Sequence, residues 1–220
     1  YSIGCVTIAP SNPNTVWVGS GENNNQRSVS YGDGVYKSVD GGKSFTNMGL
    51  KNTEHIGEII VHPTNDQIIW VAAYGPLWSS GGERGVYKST DGGKSWTRTL
   101  YVSEHTGIAE IAIDPANPDV LYASAHQRRR HEYTYIGGGP ESGLYKSTDG
   151  GLSWKEINVG LPKNDMGRVG LAVSPVDPNV VYAIVEARYD KGGVFRSTNR
   201  GETWSKQGNF STSGNYYQEI

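Results

Sequence analysis

The chain has 220 residues, a formal net charge of −2 and no run of eighteen consecutive apolar residues. This length suffices for a single domain with an ample core, and the missing apolar run predicts that no helix spans a membrane. The small net charge gives no overall electrostatic reason to bind nucleic acid or anionic lipid. The single cysteine, Cys5, offers no disulfide framework, and we expect it to be a small buried side chain.

The first predicted element is a pair of strands in residues 6–18, where two apolar runs flank a turn that contains Pro10. The same arrangement returns at residues 59–71, 111–123 and 171–183. Short runs rich in β-branched and aromatic residues on either side of a Pro/Asn/Asp turn are typical of antiparallel strand pairs.

A hairpin follows each strand pair. In residues 85–96 it runs Gly-Val-Tyr-Lys-Ser-Thr-Asp-Gly-Gly-Lys-Ser-Trp. Related copies occupy residues 34–45, 143–154 and 193–204. The alternation predicts a strand, and Asp-Gly-Gly predicts a tight turn, because Asp binds backbone N–H groups and Gly tolerates positive φ.

One residue of each turn is an acid or an amide, and these residues are Asp40, Asp91, Asp149 and Asn199. We expect them to stabilise the turns and not to catalyse a reaction. They recur once per unit, and an amide such as Asn199 caps a turn but does not transfer a proton as a carboxylate does.

One unit is therefore four short strands in about 50 to 60 residues, which predicts an all-β propeller of four-stranded antiparallel blades. The blades are expected at about residues 3–50, 56–101, 107–159 and 167–208, with the start of a fifth at 215–220. An open propeller would expose unpaired strand edges, so we expect four blades of a larger ring.

The turns of the hairpins are expected on one face of the propeller, and the longer connections on the other. The long connections comprise residues 21–33, 74–84, 126–141 and 186–191. Irregular loops on a rigid scaffold are common positions for binding and catalytic residues.

Trp78 is the only tryptophan outside the repeat, so it is a candidate platform for a sugar ring. Tyr31, Tyr74, Tyr133 and Tyr135 extend this platform if they face solvent; the alternative is that all these rings pack within their loops. The run Arg128–Arg130, between His126 and His131, either clamps a carboxylate or phosphate or forms salt bridges to neighbouring blades. The predicted ligand-binding residues are Glu22, Arg27, Trp78, Arg84, His126, Arg129 and Tyr133.

The catalytic candidates are Asp33, Glu54 and Glu104, although no pair of acids stands out. Most glycosidases need two carboxylates about 5 to 9.5 Å apart. The dipeptides Glu54-His55 and Glu104-His105 occupy equivalent crossings between blades, which favours a structural role, with acid–base chemistry as the alternative. No histidine spacing suggests a metal site, and no cofactor is implied.

The hairpin resembles the Asp box, Ser-x-Asp-x-Gly-x-Ser/Thr-Trp, which is also called the bacterial neuraminidase repeat. Asp boxes occur in sialidases, xyloglucanase-type glycoside hydrolases and sortilin-type receptors. The whole chain is similar to bacterial sortilin-like proteins labelled as repeat-containing glycosyl hydrolases. This resemblance implies a β-propeller located outside the cell, in the periplasm or at the cell surface. Xyloglucanase-type enzymes carry an Asp five residues before a Tyr that matches Tyr36; here Tyr31 holds that position, and the nearby acid is Asp33.

Three functions are compatible with these observations. The first is a secreted or cell-envelope propeller that binds a glycan or peptide through its loop-rich face. The second is a glycoside hydrolase whose catalytic site lies only partly in this segment. The third is a structural module that assembles with another chain. The expected partners are accordingly a glycan or peptide and the remaining blades of the same or another chain.

Overall fold

The structure is a computed structural model that describes residues 2–164, 166–216 and 220. Four four-stranded antiparallel sheets follow one another along the chain, and each has its strands in meander order. The predicted all-β fold with four-stranded blades is thus confirmed. We number the sheets blade 1 to blade 4.

The strands of blade 1 are β1 (Ile3–Ala9), β2 (Asn12–Ser20), β3 (Val35–Ser38) and β4 (Thr46–Asn47). Blade 2 contains β5 (Ile56–Val61), β6 (Ile69–Ala73), β7 (Gly85–Ser89) and β8 (Thr97–Leu100). Blade 3 contains β9 (Thr106–Ile113), β10 (Leu121–Gln127), β13 (Gly143–Ser147) and β14 (Lys155–Glu156), with β11 (Arg129–Arg130) and β12 (Tyr135–Ile136) inserted between its second and third strands. Blade 4 contains β15 (Met166–Val173), β16 (Val181–Ala187), β17 (Gly193–Ser197) and β18 (Ser205–Gly208). Two short 3₁₀ helices occupy Lys51–Thr53 and Tyr189–Lys191.

The inserted strands β11 and β12 pair antiparallel and form a small hairpin on top of blade 3. The sequence predicted an irregular loop here. Arg129 and Arg130 are not typical strand residues, and the pairing is only two residues long, so the local pattern carried little signal. The fifth blade expected at 215–220 falls largely outside the described residues, because Tyr217, Gln218 and Glu219 are not among them.

The first strands of all four blades line one central cavity of about 400 Å³. Hydrogen bonds between a backbone N–H and a glutamate side chain join neighbouring first strands. Ile111 N donates to Glu58 Oε2 at 2.9 Å, and Leu171 N donates to Glu110 Oε1 at 3.1 Å. These two bonds link equivalent positions of successive blades, so the blades share an axis and a register.

Each hairpin turn lies against the turn between the first two strands of its own blade. Gly41 N donates to Asn14 O at 3.0 Å, and Gly92 N donates to Gln67 O at 3.0 Å. Blades 3 and 4 repeat this bond from Gly150 and Arg200. We call the end of the molecule that carries these turns the box face and the opposite end the loop face.

The hairpin tryptophans hold the blades together. Trp96 Nε1 donates to Met48 O at 2.8 Å, and Trp204 Nε1 donates to Ile157 O at 2.8 Å. Both acceptors belong to the end of the preceding blade. In the other direction, the buried Trp70 donates to Gly150 O of the following blade at 2.9 Å. Indole rings therefore contribute both apolar area and a directed polar contact to the blade interfaces.

Blade 1 exposes an apolar surface that the other blades bury. Val6 and Ile8 are 59% and 58% exposed, whereas the equivalent Ile59 and Val61 of blade 2 are 1% and 4% exposed. In blade 2 these residues pack into a cluster with Trp17 of the preceding blade. The side of blade 1 that carries Val6 and Ile8, which we call its outer side, thus resembles a blade interface, but no blade among the described residues covers it.

Cys5 is half-buried and packs against the core cluster between blades 1 and 2, so its burial is less complete than expected. Loss of hydration raises the pKa of its thiol to about 12, with the negative charge of Glu58 as a smaller cause. The thiol therefore stays protonated and unreactive near neutral pH.

Candidate functional site

The loops of blades 1 and 2 enclose a groove of about 710 Å³ on the loop face. Its lining contains three carboxylates, one lysine and one tyrosine. We call it the carboxylate groove, and its lining residues are Tyr31, Gly32, Asp33, Lys51, Asn52, Glu54, Pro76, Ser79, Ser80, Gly82 and Glu83. Two of the three predicted catalytic acids, Asp33 and Glu54, meet here.

Backbone contacts fix the walls of the carboxylate groove. Gly32 N donates to Glu54 O at 2.7 Å, which ties the blade 1 loop to the crossing into blade 2. Glu83 N donates to Asn52 O at 3.1 Å, and Asn52 N donates to Glu83 Oε2 at 2.8 Å. Because these bonds join loops of two blades, the groove is preformed by the scaffold.

The three carboxylates have different surroundings. Asp33 accepts the Tyr36 hydroxyl at 2.7 Å, and Glu83 is engaged by a backbone N–H. Burial raises the pKa of Glu54 above its ordinary value, while Arg84 and Arg128 partly counteract this rise. Glu54 therefore retains its proton to a higher pH than an ordinary glutamate does, which is the property of a general acid.

Arg84 lies inside the protein, not on the ligand side of the loop as the sequence suggested. Its guanidinium donates to carbonyl oxygens of its own loop, at Tyr74 (3.0 Å), Pro76 (2.5 Å), Ser79 (2.9 Å) and Gly81 (2.8 Å). Burial, with Arg128 and Arg129 as smaller causes, lowers its pKa to about 10. Arg84 thus holds the blade 2 loop in shape and does not reach a ligand.

Tyr74 and His126 are also fully buried, which removes both from the predicted binding surface. The Tyr74 hydroxyl hydrogen-bonds His126 Nδ1, and His126 Nε2 is 3.1 Å from Gly137 O. A carbonyl oxygen can only accept a hydrogen bond, so Nε2 carries the proton and Nδ1 accepts from the hydroxyl. Burial, with the nearby Arg128 as a smaller cause, lowers the pKa of His126 to about 3, so the ring is neutral.

Arg128 is a buried connection between three loops. It stacks on the Tyr74 ring, with its guanidinium carbon 3.3 Å from the ring centre. It donates to Asn24 O at 3.2 Å and Gly75 O at 3.1 Å, and also to the side chain of Asn25. Arg128 therefore ties blades 1, 2 and 3 together beneath the loop face.

The two equivalent Glu-His dipeptides have different structures. His55 is buried, and its Nδ1 lies 2.8 Å from Glu22 O, while burial lowers the pKa of its ring to about 3. His105 is exposed, with Nε2 3.6 Å from Glu104 Oε1. Glu104 is also exposed and does not line the carboxylate groove. The predicted third catalytic candidate is thus separated from the other two.

The remaining predicted ligand-binding residues are spread over the loop face. Trp78 is 43% exposed and follows Pro76 of the groove wall without lining the groove itself. Glu22 accepts a bond from Asn24 at 2.9 Å, and Arg27 is exposed. Tyr133 is 87% exposed at the tip of the β11–β12 hairpin. Arg129 is half-buried and donates to the Ser80 hydroxyl of the groove wall.

A second cavity, of about 660 Å³, lies between the loops of blades 3 and 4. Gly137–Gly139, Tyr135 and Glu186 line it, and burial raises the pKa of Glu186. It contains none of the three predicted catalytic acids. No group of three or more potential metal-ligating side chains occurs in the part of the chain that the structure describes. Over the same residues, no helix has the length and apolarity to cross a membrane.

Comparison with known proteins agrees with the repeat. The BNR/Asp-box repeat family matches residues 87–98 and 195–206. The chain folds as Asp-box propeller blades. In solved structures, this Asp-box chain is similar to an ancestral GH74 enzyme, with a TM-score of 0.71 and 25% identity over 94% of the chain and 24% of that enzyme. The GH74 enzyme of Niastella koreensis gives a TM-score of 0.65 and 22% identity over 91% of the chain and 28% of that enzyme.

Among curated proteins, the Asp-box chain is similar to xyloglucanases. A xyloglucanase of a Paenibacillus species is 27% identical over 61% of the chain, and xyloglucanase Xgh74A of Acetivibrio thermocellus is 27% identical over 60%. The chain spans 13% and 16% of these two relatives. The similarity therefore concerns a small part of each of these enzymes.

Sequence reasoning did not single out Lys51 and Glu83 of the groove or the anchoring role of Arg128. Lys51 and Glu83 come together only because a crossing and a loop from different parts of the sequence are adjacent in space. The three consecutive arginines were a visible signal, but the pattern could not tell which of them points inward.

Proposed function

We propose that the loop face of this Asp-box chain binds a glycan, with the carboxylate groove as the main contact. The observation that carries this proposal is the preformed groove between two loops, which combines three carboxylates with the exposed ring of Tyr31. Carboxylate oxygens accept hydrogen bonds from sugar hydroxyls, and a few polar groups placed in a concave site fix the orientation of a ligand. Similarity to xyloglucanases supports a glycan over a peptide.

The exposed rings of Tyr31 and Trp78 are expected to stack on sugar rings. Tyr31 lines the groove, and Trp78 follows Pro76 in the wall. Isothermal titration with xyloglucan oligosaccharides is the direct test. We expect Tyr31→Ala and Trp78→Ala each to weaken binding about tenfold, since a well-packed aromatic contact is worth about 1.5 kcal/mol.

Phe45 provides a matched control. It is 43% exposed, the same fraction as Trp78, but it belongs to the hairpin of blade 1 on the box face. Phe45→Ala should leave the affinity unchanged. Binding that is lost equally in all three variants, or no binding of any glycan by the parent protein, would contradict the proposal.

The second candidate function is glycoside hydrolysis in the same groove, and the raised pKa of Glu54 favours it. Glu54 would protonate the oxygen of the scissile glycosidic bond. Asp33 would be the second carboxylate, either as the base that activates water or as the nucleophile that attacks the anomeric carbon. Release of reducing ends from xyloglucan by the native protein tests this function. Glu54→Gln should abolish release, whereas Glu104→Gln, outside the groove, should not; release that survives Glu54→Gln rules out this role for Glu54.

We further propose that other blades cover the apolar outer side of blade 1, since Val6 matches residues that blades 2, 3 and 4 bury and Ile8 matches residues that they bury wholly or partly. These blades belong to the same or another chain.

The location that we propose is the one implied by the resemblance to sortilin-like proteins: outside the cytoplasm, and either extracellular, periplasmic or at the cell surface. Such a location is compatible with a glycan ligand. Surface labelling of intact cells, their digestion with added protease, or cell fractionation distinguishes these locations.

A further inference from the structure

Three guanidinium groups lie close together below the loop face without a carboxylate bonded to any of them. They belong to Arg84, Arg128 and Arg129, and no ion pair to these side chains occurs among the described residues. Arg128 and Arg129 both act on Arg84 by repulsion, and Glu54 is the carboxylate that acts on both Arg84 and Arg128. The centre of the loop face therefore carries excess positive charge in a chain whose net charge is −2.

Burial makes this excess unusual. Arg84 and Arg128 are fully buried, and arginine is almost never fully buried unless it is paired. Their hydrogen bonds go to backbone carbonyls and one side-chain amide, which satisfy donors but do not neutralise charge. Within the part of the chain that the structure describes, the Nε atoms of Arg128 and Arg129 have no acceptor. A bound anion would supply the missing negative charge.

A small cavity of about 200 Å³ opens beside these arginines. Its lining residues are His105, Gln127, Arg128, Arg129, His131 and Ile136. We call it the basic pocket, and no carboxylate lines it. Of these residues Arg128 is fully buried, Arg129 is half-buried, and His105 and His131 are exposed. The hydrogen bond from Arg129 to Ser80 joins the basic pocket to the wall of the carboxylate groove.

We propose that the basic pocket binds the carboxylate of an acidic sugar, a hexuronate unit of a glycan whose neighbouring units lie in the carboxylate groove. Arg129 makes the direct contact, because guanidinium groups match the planar geometry of a carboxylate. Arg128 contributes its charge from behind, where little water screens it. This inference rests on the proposed glycan binding and adds the substrate class, an acidic polysaccharide.

The test compares two ligands that differ only in charge. Isothermal titration of the native protein is done with a trisaccharide of one terminal galacturonate and two galactose units, and with the same trisaccharide after reduction of its carboxyl group to an alcohol. We expect the acidic trisaccharide to bind about tenfold more tightly, the gain typical of a charge-assisted hydrogen bond. The preference should shrink as salt rises, because the opening of the pocket is exposed to solvent.

Two variants locate the preference. Arg129→Gln should abolish it, so that both trisaccharides bind alike, whereas Arg188→Gln, an exposed arginine in the blade 4 loop, should leave it intact. Melting temperatures check that both variants fold. A preference that survives Arg129→Gln, or that Arg188→Gln lowers equally, overturns the inference.

The remaining outcomes separate this inference from glycan binding itself. If both trisaccharides bind equally to the parent protein, the acidic-sugar inference fails and glycan binding stands. If neither binds, and neutral xyloglucan oligosaccharides do not bind either, both proposals fail. Inorganic phosphate and free galacturonate serve as further ligands: either one binding as tightly as the acidic trisaccharide would show a general anion site and overturn the assignment to a glycan.

Discussion

The two faces of the molecule are built on opposite plans. On the box face, the same hydrogen bond recurs four times: the hydroxyls of Ser38, Ser89 and Ser147 donate to their aspartates, and that of Ser197 donates to Asn199, all at 2.7–2.8 Å. On the loop face, no two blades have the same loop. Contacts that repeat in every blade maintain the fold, and contacts that occur once are where a ligand site is to be expected.

The largest expected effect compares two tryptophans of blade 2. Trp70 is buried between blades and bonded to Gly150 O, so Trp70→Ala should lower the free energy of unfolding by about 4 kcal/mol. Trp78 is on the loop face, and Trp78→Ala should change stability by less than about 0.5 kcal/mol. Urea unfolding measures both. Equal losses would show that Trp78 is a packing residue and would remove it as a binding candidate.

Two glycines of blade 2 sharpen the comparison. Both have positive φ, but a Cβ on Gly93 would lie 2.4 Å from the Trp17 ring, whereas a Cβ on Gly81 meets nothing within 4 Å. Gly93→Ala should therefore cost about 3 kcal/mol, from backbone strain plus overpacking, and Gly81→Ala about 1 kcal/mol, from strain alone. Thermal unfolding of the two variants gives the difference. Equal costs would mean that the blade interface relaxes around the added methyl group.

The buried histidines make the loop face sensitive to acid. The pKa values of His55 and His126 are lowered from 6.5 to about 3 in the folded protein. Between these two pKa values the unfolded chain binds more protons than the folded protein. The contribution of these histidines to the free energy of unfolding is therefore complete above pH 6.5 and falls as the pH drops towards 3. His126→Gln should flatten this part of a plot of melting temperature against pH, and His105→Gln should not. A slope that His126→Gln leaves unchanged would contradict the neutral, buried ring.

The smallest effect distinguishes the turns of the box face. Hydrogen bonds from Ser95 and Ser89 hold the pKa of Asp91 well below its usual 3.8, and Asp40 and Asp149 behave alike. These turns keep their stabilisation above about pH 4 and lose it as the pH falls further. The turn at Asn199 has no carboxylate to titrate. Amide hydrogen exchange at pH 5 and pH 2.5 should show less protection at the lower pH in the turns of blades 1, 2 and 3 only. Asp91→Asn should remove this pH effect from the turn of blade 2.

Much of the box face could be predicted from the sequence, because its chemistry is local. A strand, a turn and one ring follow each other within twelve residues, and four copies confirm the spacing. The register also predicts that Trp17 and Trp70 match Tyr122 and Tyr182; the first three rings are buried in the structure, and Tyr182 is half-buried.

The loop face was less predictable, because its contacts join residues that are distant along the chain. Arg128 binds Asn24 across 104 residues, and no local pattern indicates this. Arg84 and His126 were expected at the surface because polar loop residues usually lie there, and Tyr74 was expected either to face solvent or to pack within its loop. All three are buried: Arg84 donates to carbonyls of its own loop, and Tyr74 and His126 bond each other across two loops.

The indole bonds between blades have a direction. The hairpin indoles of Trp96, Trp154 and Trp204 each donate to the preceding blade, whereas the indole of Trp70, on a second strand, donates to the following blade. The two sides of a blade are therefore different surfaces, so a blade interface is heterologous and cannot form by a two-fold axis that pairs like with like. Growth of this array is polar: each new blade can attach in one orientation only, with its hairpin ring towards the blade already in place.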